Sequence, residues 1–208
     1  NAHIKASEQI TLTAKSGPIV HKGIIDTKTL KGTSLSGFNI SSQNAGNANN
    51  QNEQVVANSH VDHLDVQVTG NGDLTLHNVQ AINLKQLVAN QGKIQVSSHG
   101  PMSVYQVSTG SENSSNKNSA GQDIYLTTYN PHKTNEDAHL TVYQGNITAH
   151  GQGDLHLNIG GEINYHYEKE VKNIPSTILQ ANEAHIDSYG AGQGNKKIFQ
   201  TDVKSLSL

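Results

Sequence analysis

Residues Gly72 to Gln91 read GDLTLHNVQAINLKQLVANQ, and residues Gly92 to Ser111 read GKIQVSSHGPMSVYQVSTGS. Laid one under the other, Gly72 falls on Gly92, Leu74 on Ile94 and Leu76 on Val96. Ile82 falls on Met102, Leu84 on Val104 and Leu87 on Val107. Each unit thus holds two apolar–polar–apolar steps about eight residues apart and a third short apolar step. Alternation of this kind puts the apolar pair on one face of a strand and the polar residue on the other. A meander of hairpins would also give short strands, but it would not require apolar positions to superpose every 20 residues. A solenoid does, because each coil stacks about 4.8 Å from the last and its inward side chains form ladders.

The same step recurs outward from this stretch. On the N-terminal side it appears as Ile10-Thr-Leu12, Phe38-Asn-Ile40 and Leu64-Asp-Val66-Gln-Val68. On the C-terminal side it returns as Ile124-Tyr-Leu126, Leu140-Thr-Val142, Leu155-His-Leu157 and Ile163-Asn-Tyr165. Ile147, Leu155 and Ile163 repeat the eight-residue step. No stretch carries helical periodicity. The expected fold is all-β, a right-handed parallel β-helix of about 20 residues per coil with projecting loops or hairpins.

Composition agrees with many short strands and turns. Of 208 residues, 33% are hydrophobic and 15% charged, while 19 are Gly, and the formal net charge is −3. Disorder couples low hydrophobicity to high net charge, and the charge here is small. Cys is absent, so stability rests on burial and hydrogen bonding rather than disulfides. No apolar run reaches the roughly 18 residues that span a bilayer. No Lys/Arg stripe is present to neutralise phosphates, which argues against nucleic acid.

The chain reads as one domain over 1–208, a fragment of a larger protein that starts at Asn1 rather than Met. Polar excursions from the coils are expected at 41–54, 109–120 and 127–138, with an irregular segment at 165–182.

The Gly-x-[Leu/Ile]-x-[Val/Leu] strands, the 20-residue coil, the Asn/Gly/Ser-rich turns and the lack of Cys resemble filamentous haemagglutinin-like exoproteins of two-partner secretion systems in Gram-negative bacteria. The resemblance covers roughly 1–164 and is closest over 72–107. It lacks that family's Asn-Pro-Asn secretion motif, since Asn130-Pro131-His132 does not match, and it lacks a Val-Glu-Asn-Asn toxin boundary. The resemblance implies a secreted, cell-surface shaft segment, exported through an outer-membrane barrel, whose partners are host or bacterial surface glycans or proteins. End-to-end self-association is a further expected partner mode.

Candidate chemistry is sparse. His60, Asp62, His63 and Asp65 place four metal-ligand types within six residues. Alternation along a strand sends His60 and Asp62 to one face and His63 and Asp65 to the other, so no convergent metal site is expected. The twelve His are scattered through the sequence, mostly in outward slots or turns, as His156 is between Leu155 and Leu157. Their full protonation would reverse the sign of the net charge and favour anionic polymers in acid.

Paired carboxylates mark β-helical glycan lyases and hydrolases. Asp73 and Asp154 each sit in a Gly-Asp step that more often makes a turn, and Glu168 and Glu170 read as a solvated charge run. Arg and Trp are absent, which leaves little for holding uronates or stacking sugars. Gly190 to Gly194 lacks the companions of a phosphate loop. Tyr125, Tyr129, Tyr143, Tyr165, Tyr167 and Tyr189 either stack along the solenoid or line a sugar surface, and stacking is favoured. No catalytic, cofactor or metal residue is expected. An adhesin or shaft is the first functional expectation, a polysaccharide lyase or hydrolase the second, and a purely structural filament repeat the third.

Overall fold

A computed structural model describes residues 2–41, 59–110, 122–129, 138–166, 179–188 and 201–207. The first five strands are β1 (Ala2–Lys5), β2 (Gln9–Ala14), β3 (Ile19–His21), β4 (Gly23–Ser34) and β5 (Phe38–Ile40). The middle coils contain β6 (His60–Val68), β7 (Leu74–Asn78), β8 (Ile82–Ala89), β9 (Ile94–His99) and β10 (Met102–Thr109). They are followed by β11 (Ile124–Tyr129), β12 (Leu140–Ala149), β13 (Leu155–Ile159), β14 (Ile163–His166), β15 (Leu179–Ser188) and β16 (Thr201–Ser207).

Every strand pairing is parallel, and neighbours alternate in chain order. One ladder runs β4, β6, β8, β10, β12, with β1 and β2 on its first strand and β14 on its last. The other runs β3, β5, β7, β9, β11, β13, and β15 joins the two. From β1 to β14 each strand pairs in parallel with strands a coil away and not with its immediate successor, and β16 adds in parallel to β15, which defines a parallel β-helix. The right-handed wind is the sense that such crossovers favour.

The 20-residue register is realised pair for pair. Leu74 faces Ile94 and Leu76 faces Val96, while Ile82, Leu84 and Leu87 face Met102, Val104 and Val107. All of these are buried, and they belong to one apolar core that runs from Ile10 to Ala184. Strands β8 and β10 each turn a corner where two successive side chains face outward. In β8 these are Lys85 and Gln86, and in β10 Tyr105 and Gln106. Stacked turns approach closely enough to demand glycine. A Cβ on Gly92 would lie 2.0 Å from Gly72 O, and Gly72 itself has φ 147°.

Inward slots are not all apolar. Ser34 and Ser98 donate to the carbonyls of Gly37 and Gly100, and Thr109 and Thr128 donate to those of Gln122 and Ala138. These hydroxyls satisfy turn carbonyls that burial would otherwise leave unpaired. They also correct the expected excursions. Thr109 lies in β10 rather than in a loop, and Thr127–Tyr129 complete β11. Polar residues hid the ends of those strands because they fill inward slots with their own hydrogen bonds. The expected irregular segment 165–182 likewise begins and ends in regular structure. Tyr165 packs against the core in β14, and Leu179 opens β15. The remainder of the expected excursions, 42–54, 111–120, 130–137 and 167–178, lies outside the described residues.

Candidate functional site

The chemically distinctive feature is a set of rings stacked along the outside of the coils. Because the register repeats, an outward residue in one coil stands beside the equivalent residue in the next. On the ladder of long strands, Tyr105 and Tyr143 stack with centroids 5.4 Å apart at 14°. Lys85 Nζ sits 3.7 Å from the Tyr105 ring centre, a cation–π contact, and His166 tilts onto Tyr143 at 5.0 Å. On the other ladder, Tyr125 stacks on His156 at 4.4 Å and 2°, and His156 on His185 at 4.9 Å and 17°. His99 and Tyr129 meet edge to face at 5.5 Å.

The expectation that the tyrosines stack holds for Tyr125 and Tyr143. Tyr129 instead meets His99 edge to face, Tyr165 packs against the core, and Tyr167 and Tyr189 lie outside the described residues. Tyr105 was missed, although the 20-residue register places it beside Lys85. Stacking along the axis turns ring faces toward neighbouring coils and leaves ring edges toward solvent. A sugar platform needs exposed ring faces, so these stacks serve cohesion along the rod better than sugar binding.

A row of carboxylates borders the second ring stack. Asp73 Oδ1 accepts the Lys93 N–H at 3.0 Å, and Asp123 Oδ1 accepts the Asp154 N–H at 2.9 Å. Asp154 Oδ1 accepts the Glu183 N–H and the Asn182 side-chain amide, both at 3.0 Å. The Gly-Asp steps therefore tie each turn to the backbone of the next coil. Asp123 also accepts the Tyr125 hydroxyl at 3.1 Å. Burial first, and then the Asp123 charge, push the Tyr125 phenol above its ordinary range. Burial, reinforced by the His185 charge, lowers the proton affinity of His156.

The His60, Asp62, His63, Asp65 cluster is split, though not as simple alternation predicts. Val61 and Leu64 point inward, so Asp62 and His63 are successive outward residues at a corner and all four lie outside the core. His60 and Asp62 border an open polar groove shared with Lys5, Asp26, Lys28 and Gln80. Asp62 accepts the Gln80 amide at 2.6 Å, and Asp26 pairs with Lys5 at 2.7 Å. That hydrogen bond from Lys5 is the main cause holding Asp26 below the usual carboxylate range. Among the described residues no three His, Asp or Glu side chains gather to hold a metal. Glu168, Glu170 and Gly190 to Gly194 lie outside the described residues.

These observations define a class, the parallel β-helix with outward ring and carboxylate ladders. No family model, curated protein or solved structure matches the chain.

Proposed function

We propose that the chain is a shaft or adhesive segment of a large secreted, filamentous haemagglutinin-like bacterial surface protein, and that it attaches by non-covalent contacts rather than by catalysis. The observation that carries this reading is the continuous series of parallel pairings from β2 through β15 to β16 over one core. Coils joined in this way bend only by breaking ladder hydrogen bonds, which suits a rod that holds its ends apart. The carboxylates nearest to an enzyme's requirement spend their oxygens on neighbouring backbone amides, which favours scaffolding over acid–base chemistry. Surface glycans or proteins are the partners of this reading, met at the polar sequences 42–54 and 111–120.

The test is binding of the chain to bacterial and host cells, run beside assays for reducing ends or unsaturated products on a polysaccharide panel. Saturable attachment without cleavage is expected. Cleavage that Asp123→Asn or Asp154→Asn abolishes, with the fold intact, would transfer the assignment to a β-helical lyase or hydrolase.

One observation favours a second reading, a structural repeat that polymerises. Strands β1, β2 and β3 each pair on one side only among the described residues, leaving strand edges of the kind that recruit further strands. Concentration-dependent growth in light scattering supports it, and a strictly monomeric chain counts against it.

A further inference from the structure

The outward side of the last coils holds two imidazoles that the reading above does not use. His156 and His185 are register partners on β13 and β15, and their rings stack 4.9 Å apart. The His185 side chain is 45% exposed, and His156 has no side-chain hydrogen bond among the described residues. His185 Nδ1 lies 2.9 Å from Ser207 Oγ, and that hydroxyl donates its proton to Ala184 O at 3.5 Å. When that hydroxyl accepts from the ring, the ring hydrogen sits on Nδ1 and Nε2 is free to ligate. The Glu183 carboxylate stands 3.5 Å from Nε2 of the same ring.

We propose that His156 and His185 form a surface site for a divalent transition ion of the Zn²⁺, Ni²⁺ or Cu²⁺ class, with Glu183 as carboxylate partner and water completing the shell. Imidazole nitrogen is the ligand these ions favour, and Ser207 plays the part of the outer partner that fixes a ligating ring's tautomer. The three groups are not already gathered on one point, so the site assembles as the ion arrives. Two nitrogens each about 2.1 Å from one tetrahedral ion lie roughly 3.4 Å apart. The stacked rings reach that spacing by tilting their Nε2 edges together, and Glu183 follows by rotating its side chain. Strand pairing sets the imidazoles side by side without any turn or loop, so the protein ligands come from two successive coils.

The experiment titrates the chain at pH 7.5 with ZnCl₂ and NiCl₂ by calorimetry, with the imidazole signals followed by NMR. The expected result is a tightest site whose filling moves the His156 and His185 signals first. His156→Gln and His185→Asn should each weaken it by at least about tenfold, since even outer partners of a metal ligand cost that much. His60→Ala should leave it unchanged, and circular dichroism should report the same β fold in all three variants. The proposal is overturned if other histidines respond first, or if His185→Asn binds as the parent does. Equal affinity for Ca²⁺, which prefers oxygen, would overturn it as well, because that result describes a carboxylate surface.

Discussion

The side-chain amide of Asn78 is hydrogen-bonded to both backbone polar atoms of Val61. Its Oδ1 accepts the Val61 N–H and its Nδ2 donates to the Val61 carbonyl, each at 2.9 Å. Asn78 is fully buried and gives a further hydrogen bond to Gln80 O at 3.0 Å. The amide therefore continues the strand ladder where β7 ends and the corner begins. Asn78→Leu would leave the Val61 groups buried without partners, at about 1–3 kcal/mol for each. A fall in urea unfolding stability of about 2 kcal/mol or more is expected. A loss under about 0.5 kcal/mol would mean that the ladder does not depend on this side chain.

Gly32 and Phe38 share one volume. A Cβ on Gly32 would lie 2.3 Å from Phe38 Cε2, and the Phe38 ring is fully buried. Gly32→Val, though it matches the Val66 that faces it in the next coil, should destabilise by about 1–3 kcal/mol through overpacking. Adding Phe38→Leu should recover part of that loss. A double-mutant cycle read by thermal unfolding checks the coupling, and strict additivity would refute it.

Inward and outward slots should respond differently. Leu84 is fully buried, while Asn83 beside it faces out. Leu84→Ala is expected to cost about 2–5 kcal/mol. Thr75→Ala or Gln95→Ala, on the outer side, should change stability by about 0.5 kcal/mol or less. Chemical denaturation of each variant provides the comparison.

Acid should loosen the coils around His77. This ring is buried, its Nδ1 lies 2.7 Å from Ser97 Oγ, and burial lowers its pKa below the ordinary 6.5. The unfolded chain then binds more protons than the folded one in the window just below pH 6.5. Stability from the neutral ring is complete above that value and is lost as pH falls through the lowered pKa. His99 is lowered for the same reason and adds in the same direction. Unfolding midpoints should fall between pH 7.5 and pH 5, and His77→Gln should flatten the slope. An unchanged slope in His77→Gln would assign it to other groups.

Much of the fold was legible because a coil is a local rule repeated. The identity of Leu74 with Ile94 and of Leu84 with Val104 in the 20-residue frame needs only apolar alternation and counting. The frame lost clarity at Thr109 and Thr128, where hydroxyls occupy inward slots and look like loop residues until their carbonyl partners are known. It also lost clarity at Asp62-His63, where a corner puts two outward residues in a row and breaks the period of two.

The candidate site was less legible. His156 between Leu155 and Leu157 announces an outward ring, but not the ring it touches. Its partners, Tyr125 and His185, lie 31 and 29 residues away in the sequence, because segments of unequal length interrupt the count of 20.

The sequence by itself determined the strand period, the 20-residue spacing over 72–107 and the apolar inward residues, since each follows from alternation between neighbours along the chain. Tertiary structure alone decided which outward side chains meet. That choice depends on the register between coils, which is set by inserted segments, corner residues and hydrogen bonds from turn to turn. Local periodicity carries no record of those distances, and stacking converts them into contacts.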